Sequence, residues 1–413
     1  WTLVPSLTNK NLPLDTIEAL AWGSNLDWGF NKHPPMSAFF SEVFFQIFGS
    51  QDWAYYLLSQ IFVIISFYYV FKFSKEILKN DLLSLISVLL LESIYFYNFT
   101  TPEFNVNVCQ LPFWSLTVYF SWKIYSGKNI KFIDCFLVGL FAAFGFLSKY
   151  LFVYLLLSID LLFIYLILIR KNKKFDFMYL ITFEVFLVVL VPHLIWLNNN
   201  DFITITYGLA RTGLEQSSLI DHIKYPLIFI TKQIGLLIPF IILLLLLIKK
   251  TKLKINLNNK EQLFLISINI LPIFLMFLTS IITGSKIRTM WMTPFYLFFG
   301  TFFVYFFKSQ INIKKLKSFI FGFLFLFFIS PALYSYISIS KEDKRTDYPG
   351  KEIAIKTQYA WDQQFNSTIN VVYGNEWNAG NLSYHLKSRP VWEGIIERNK
   401  LDQLKDYMCL DNV

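Results

Sequence analysis

Residues 12–50, LPLDTIEALAWGSNLDWGFNKHPPMSAFFSEVFFQIFGS, gather acidic and basic groups in a chain whose other long stretches are almost purely apolar. Such a cluster in a membrane protein marks a functional site by default, because charge near lipid is costly to keep. Asp15 and Glu18 stand three apart at the head of a short predicted helix, so both carboxylates share one face. Two readings fit them: a capping box, with Asp15 as N-cap and Glu18 closing it, or a pair of functional carboxylates. Lys32, His33, Pro34 and Pro35 follow after a Gly-containing break.

The whole chain has 413 residues, 55% hydrophobic, 19% aromatic and only 16% charged, far from a soluble globular average. It reads as a polytopic membrane protein. A net charge of +9 suits nucleic acid in the abstract, but the basic residues occur in short runs between apolar spans, as the positive-inside rule requires. No nucleic-acid partner is expected. Cys109 and Cys135 fall within predicted spans and Cys409 near the end, without metal-ligand spacing, so neither a metal site nor a cofactor is expected.

Trp1 to Leu7 reads as the last turns of an apolar helix, which implies that most of a first span lies ahead of Trp1. Residues 8–52 form the first extracytoplasmic loop. Within it Met36 to Phe48 is an apolar helix with a polar stripe at Ser37, Ser41, Glu42 and Gln46. At 1.5 Å per residue it reaches only about 20 Å, against roughly 30 Å of hydrocarbon, so it is expected along the outer membrane surface. About ten spans follow between residues 53 and 337: 53–72, 81–98, 104–123, 131–148, 150–169, 177–197, 223–248, 262–283, 290–307 and 318–337.

Alternate connections hold the basic runs: Lys72, Lys75 and Lys79; Lys123, Lys128 and Lys131; Arg170, Lys171, Lys173 and Lys174; Lys249, Lys250, Lys252, Lys254 and Lys260; Lys308, Lys314, Lys315 and Lys317. All lie on one side, which the rule makes cytoplasmic. The opposite side receives the first loop, the turn at Thr100 to Glu103, the tight turn at Lys149, the loop Asn198 to His222, the turn Gly284 to Thr289 and the tail from Ser338. The tail, residues 338–413, turns abruptly polar. Glu352 to Phe365 and Asn378 to Leu386 read as helices, Thr368 to Tyr373 and Arg389 to Trp392 as strands. The expected fold is therefore an all-α polytopic membrane domain (residues 1–337) with extracytoplasmic juxtamembrane helices, plus a small, thin-cored C-terminal α/β unit on the extracytoplasmic face, with Val413 a further possible point of truncation.

Six sites place charge or imidazole at that outer rim: Asp15 with Glu18, Lys32 with His33, Glu103, Lys149 beside Tyr150, Arg211, and Lys286 with Arg288. A transporter tends to hold its charges near the midplane on broken helices, whereas here Glu92, Glu184 and Lys232 are isolated exceptions in nearly charge-free spans. An interfacial site suits a substrate with a greasy tail and a polar head. D-x-D, Gly-rich phosphate loops, Cys clusters and G-x-S-x-G are absent, which removes soluble-type glycosyltransferase, kinase and serine hydrolase readings.

The order D-x-x-E-A, W-G, K-H-P-P-M and F-G-S-x-x-W-A resembles the first extracytoplasmic loop of the polyprenyl-phosphate-sugar-dependent glycosyltransferases. That superfamily, of the C-type membrane fold, includes protein O-mannosyltransferases and lipid A aminoarabinose transferases. Thr101-Pro102-Glu103, Ser148-Lys149-Tyr150, Pro192 to Trp196 and Trp291 to Pro294 are further points of similarity, all on the same face. The resemblance implies a span ahead of the first loop, a bacterial inner-membrane setting with the site facing the periplasm, a polyprenyl-phosphate sugar as donor, and an extracytoplasmic acceptor: lipid A, another glycan or protein.

Such a transfer needs a carboxylate to take the acceptor's proton and cations to hold the departing phosphate. In the family the residue matching Asp15 is the usual base, and relatives commonly carry Asp where Glu103 stands, so Glu103 orients a substrate or shares that role. Relatives vary between His and Lys before the Pro-Pro pair, which gives Lys32 and His33 to the phosphate at the head of the surface helix. Arg211, Lys286 and Arg288 are further phosphate candidates. Plainer readings stand beside these. Lys32 could meet lipid head groups, His33 could cap the helix, Lys149 beside Tyr150 could be a snorkelling lysine, and His193 could be satisfied by a carbonyl. Two other functions compete: a transporter or lipid-linked-glycan flippase, and an O-antigen polymerase or ligase, which usually centres on a large Arg- and His-rich loop.

Overall fold

The computed structural model describes residues 1–213, 218–249, 251–401 and 403–409. Lys250 of one basic run, residues 214–217 of the loop before His222 and the last residues of the tail lie outside them.

Three short helices, α1 (Leu3–Thr8), α2 (Leu14–Gly23) and α3 (Met36–Phe48), precede the first long span, α4 (Asp52–Leu78). Pro13 occupies the N-cap of α2 and supplies no side-chain cap, so the capping-box reading of Asp15 and Glu18 does not hold. Asp15 lies inside the first turn, and its N–H donates to Glu103 Oε1 at 3.1 Å. A carboxylate from a distant turn thus satisfies one of the helix's orphan donors. The α3 boundaries match the sequence reading, and Ser37, Ser41 and Glu42 of its polar stripe are buried.

Among the described residues, six helices are long and apolar enough to cross a membrane: Asp52–Leu78, Tyr150–Ile169, Met178–Asn199, Asp221–Leu245, Lys260–Thr283 and Ile313–Ser340. A seventh arises if Thr289–Tyr296 and Phe299–Phe307, bent by 52°, count together. The other expected spans take shorter or broken forms. Within 81–98, α5 (Asp81–Leu89) passes into 3₁₀ turns up to Tyr97. There the Asn98 amide donates to the Glu92 carbonyl at 3.0 Å and to Ser330 Oγ at 2.9 Å, drawing the chain out of register. Within 104–123, Asn105 caps α6 (Val106–Cys109), and α7 (Leu111–Ser126) restarts with Pro112, which has no N–H to lose in a first turn. The remaining helices are α8 (Phe132–Ser148), α9 (Val153–Ile164), α10 (Met178–Asn199), α11 (Ile203–Thr212), α12 (Asp221–Leu245), α13 (Lys260–Thr283), α14 (Phe299–Phe307) and α15 (Leu316–Ser340). One continuous apolar core joins most of them. Where α14 crosses α5, a Cβ on Gly300 would lie 1.8 Å from the Ser87 carbonyl oxygen, the close backbone approach that small residues permit in membranes.

The tail forms α16 (Gly350–Gln364), β1 (Val371–Val372), α17 (Asn378–His385), β2 (Val391–Trp392) and α18 (Arg398–Leu401). β1 and β2 pair in parallel, Val371 with Val391 and Val372 with Trp392. The small α/β unit is as expected, but its core is not its own. Ala354, Trp361, Val372, Leu382 and Trp392 pack in one cluster with Ala21, Trp22, Phe30 and Ala38 of the first loop, which makes good the thin core that so few residues could supply alone.

Polar contacts lock the same junction. Asn11 donates to Asn381 Oδ1 at 2.8 Å, Tyr384 to Asp52 Oδ1 at 2.6 Å, and Arg389 to both the Leu20 carbonyl and Glu42 Oε2 at 2.6 Å. Glu42 of the α3 polar stripe thus faces the tail, and Gln46, one turn on, donates to its Oε1 at 2.6 Å. Removing one partner of a buried ion pair strands the other, at about 3–5 kcal/mol. Arg389→Ala is therefore expected to loosen the tail from the first loop, read as faster protease cleavage or amide exchange in residues 350–392; unchanged protection would show the pair to be dispensable.

Candidate functional site

α2, the turn ahead of α6, the link between α8 and α9, α11 and the segment after α13 converge on two adjoining cavities of about 980 Å³ and about 650 Å³. Asn107, Arg211 and Arg288 stand in the walls of both. The larger is also lined by Asp15, Glu18, Lys32, His33, Lys149 and Tyr150, the smaller by Glu103 and Lys286. Every residue singled out from the sequence at the outer rim is thus brought to one connected space, from positions as far apart as 15 and 288.

The Asp15 carboxylate makes no hydrogen bond among the described residues. Burial pushes its pKa up, and the charges of Lys149, Lys32, Arg345 and Arg211 pull it back down. Glu103, beside it, is raised by burial and then by the Asp15 charge itself. Two neighbouring carboxyls in unlike surroundings hold their protons differently: Asp15 faces the cations, while Glu103 is pushed up to about 8.

Lys32 lies between two carboxylates, its Nζ 2.8 Å from Glu18 Oε1 and 3.2 Å from Glu376 Oε1. Burial opposes its charge, but the charges and hydrogen bonds of Glu18 and Glu376 together outweigh that and raise its pKa. The imidazole of His33 packs edge-on to Trp22 and Tyr207, with centroids 5.9 and 6.4 Å away. Burial, with Lys149, Lys32 and Arg211 nearby, takes its pKa down to about 3, so His33 is neutral at physiological pH. Lys149 points inward: its ammonium donates to Asn107 Oδ1 and sits 5.5 Å from the centre of the Trp291 ring. Burial depresses it to about 7. A snorkelling lysine would lead to water; this one is 7% exposed. Lys149, Arg211, Lys286, Arg288 and Arg345 form no ion pair among the described residues.

Second contacts fix these groups. Tyr150 OH meets His193 Nε2 at 2.7 Å, and His193 Nδ1 meets the Trp28 carbonyl at 2.6 Å. His193 is thus satisfied by a carbonyl, and it ties the first loop to α10. Thr204 donates to the Phe30 carbonyl at 2.7 Å, which seats α11 and Arg211 over the loop. The Lys286 N–H donates to the Thr212 carbonyl at 3.0 Å, joining the segment after α13 to α11.

Sequence reasoning missed Asn107, Arg345 and Glu376, which also line the larger cavity. Asn107 follows Asn105 in an apolar run and offered a polar anomaly as its signal. Arg345 and Glu376 lie in the polar tail, where charge is ordinary and nothing marks one residue above another.

This architecture is the C-type membrane glycosyltransferase fold. Residues 32–196 match the family model for dolichyl-phosphate-mannose-protein mannosyltransferase. Among solved structures the chain is similar to ArnT from Cupriavidus metallidurans bound to undecaprenyl phosphate, with a TM-score of 0.65 at 11% identity over 97% of this chain and 85% of that one. The apo state of that protein gives 0.63 at 11% identity with the same coverage. An Archaeoglobus fulgidus oligosaccharyltransferase tethered to an acceptor peptide gives 0.47 at 9% identity, over 93% and 60% of the two chains. No curated protein sequence matches significantly. The resemblance read from the first loop is upheld by the family model and the fold.

Proposed function

We propose that this protein is a membrane glycosyltransferase that moves a sugar from a polyprenyl-phosphate donor to an extracytoplasmic acceptor. The observation that carries the proposal is a single unpaired carboxylate, Asp15, in one cavity with Lys149, Arg211, Arg288 and Arg345, cations without carboxylate partners among the described residues. Asp15 takes the proton from the acceptor hydroxyl or amine as that atom bonds to the anomeric carbon. The bond from that carbon to the phosphate oxygen breaks, and the polyprenyl phosphate leaves with its charge held by the cations. Glu103, protonated longer, orients a substrate and caps α2. Lys32 is committed to two carboxylates and His33 is neutral, so the phosphate falls to the other cations, with His33 as a neutral hydrogen-bond donor.

Purified protein given a polyprenyl-phosphate sugar and a candidate acceptor should release polyprenyl phosphate in step with glycosylated acceptor. Vesicle flux of the lipid without transfer would favour the flippase reading, and turnover only of diphosphate-linked donors would favour a polymerase or ligase. The sidedness has its own test. In a background without native thiols, a cysteine replacing Lys344 should react with an impermeant maleimide added outside intact cells, and one replacing Lys173 or Lys254 should not. Labelling at position 254 would put the cavity on the wrong face.

A further inference from the structure

Glu18 and Glu376 face each other across Lys32 from two different parts of the chain. Glu18 is on α2. Glu376 is in the loop from β1 to α17, which leaves β1 at Gly374, at φ +146°, a conformation that favours glycine. Asn375 Oδ1 then accepts from the Trp377 and Asn378 N–H groups and opens α17. α17 is seated on α2 through Gly380, where a Cβ would come within 3.0 Å of Ala21 Cβ. The loop that carries Glu376 therefore leads directly into a helix packed against the one that carries Glu18.

Both are more than nine-tenths buried, Glu18 with 9% and Glu376 with 8% exposure. Lys32 meets the Oε1 atom of each, and Asn31 Nδ2 donates to the same Glu376 Oε1 at 2.9 Å. The two Oε2 atoms have no hydrogen-bond partner among the described residues, yet neither is sealed from solvent, and both residues line the larger cavity. Two acceptor oxygens without a partner thus stand beside one ammonium, on residues that line that cavity. With one cation against two anions the cluster repels phosphate, and its acceptors call for a ligand that donates: the hydroxyl groups of a sugar ring. Trp377, in the same wall, offers an apolar face beside them.

We propose that Glu18 and Glu376 form the subsite that reads the donor's sugar, and that the tail, through Glu376, selects which sugar is transferred. This rests on the donor class proposed above. The phosphate stays with Lys149, Arg211, Arg288 and Arg345, and Asp15 lines the same cavity, acted on by the charges of Lys149, Arg211 and Arg345 and by that of Lys32.

The test is direct binding of decaprenyl phosphate and of decaprenyl-phosphate mannose, glucose and arabinose to the full purified chain. Wild type should bind at least one sugar-bearing lipid more tightly than the bare phosphate lipid. Glu376→Gln should weaken that sugar-bearing lipid by about tenfold to a hundredfold, the range for losing a hydrogen bond to a charged group, and leave the bare lipid unchanged or tighter. Glu18→Gln, on the opposite wall, should show the same signature and covers the case of a Glu376 variant that does not fold. Equal loss for bare and sugar-bearing lipids, or no loss for either, would overturn the sugar subsite. Wild type that binds the bare lipid but prefers none of the three sugar-bearing forms would overturn it too. Wild type that binds neither kind would instead sink the donor class itself, and the subsite with it.

Discussion

Asp15→Asn is expected to lower the rate of transfer by about a hundredfold to ten-thousandfold, the range for removing a general base, while leaving the fold intact. The side chain makes no cap and no hydrogen bond among the described residues, so an amide of the same shape breaks nothing. Burial raises the Asp15 pKa, so a carboxylate there weighs against folding as pH rises through its ordinary range, and the neutral amide removes that load. The variant should melt no lower than wild type at neutral pH. Glu103→Gln is the paired measurement. Glutamine can still accept the Asp15 N–H, so α2 stays capped, and the rate should fall less than in Asp15→Asn. Ordinary turnover by Asp15→Asn together with a collapse in Glu103→Gln would move the base to Glu103. Ordinary turnover by both would defeat the mechanism.

The lengths and ends of α3 and of most long spans were legible because hydropathy and helix length are local properties. The breaks in the expected spans 81–98 and 104–123 were not, because they rest on Asn98 reaching Ser330 and on Asn105 and Pro112 resetting a helix within an apolar run. The identity of the rim residues was legible from charge standing beside apolar sequence; their division of labour was not. Lys32 reads as a phosphate anchor until Glu376 arrives from 344 positions away in the chain. Asp15 reads as a cap until Pro13 takes that place and Glu103 supplies the acceptor. Local sequence gives the residue types of a site, whereas pairing between distant segments decides which charges remain free to act.

Lys149 is free in that sense, and it carries the second large effect. Lys149→Met should lower kcat/KM for the donor by about a hundredfold to a thousandfold, as for other lost donors to a developing anion. Its pH dependence separates this role from a structural one. Burial holds the free-enzyme ammonium to about 7, against the raising pull of Asp15 and with Arg288 adding to the depression. The charge is present below that pH and lost above it, so kcat/KM, which reports groups of the free enzyme, should fall as pH rises through about 7. The Lys149 contribution to stability moves the other way, and Glu103, whose proton is held up to about 8, works against it until that proton is lost. Between the folded value and the ordinary lysine value of about 10.4, the unfolded chain binds the proton that the folded one has released, and stability rises with pH wherever the unfolded state holds more protons. Activity that falls while the melting temperature holds or rises over the same interval cannot be unfolding. Lys149→Arg completes the argument, since a guanidinium stays charged throughout. If that variant folds and turns over, its alkaline limb should be gone. An active Lys149→Arg that keeps the wild-type limb would assign the titration to another group and leave Lys149 a buried partner of Asn107 and Trp291.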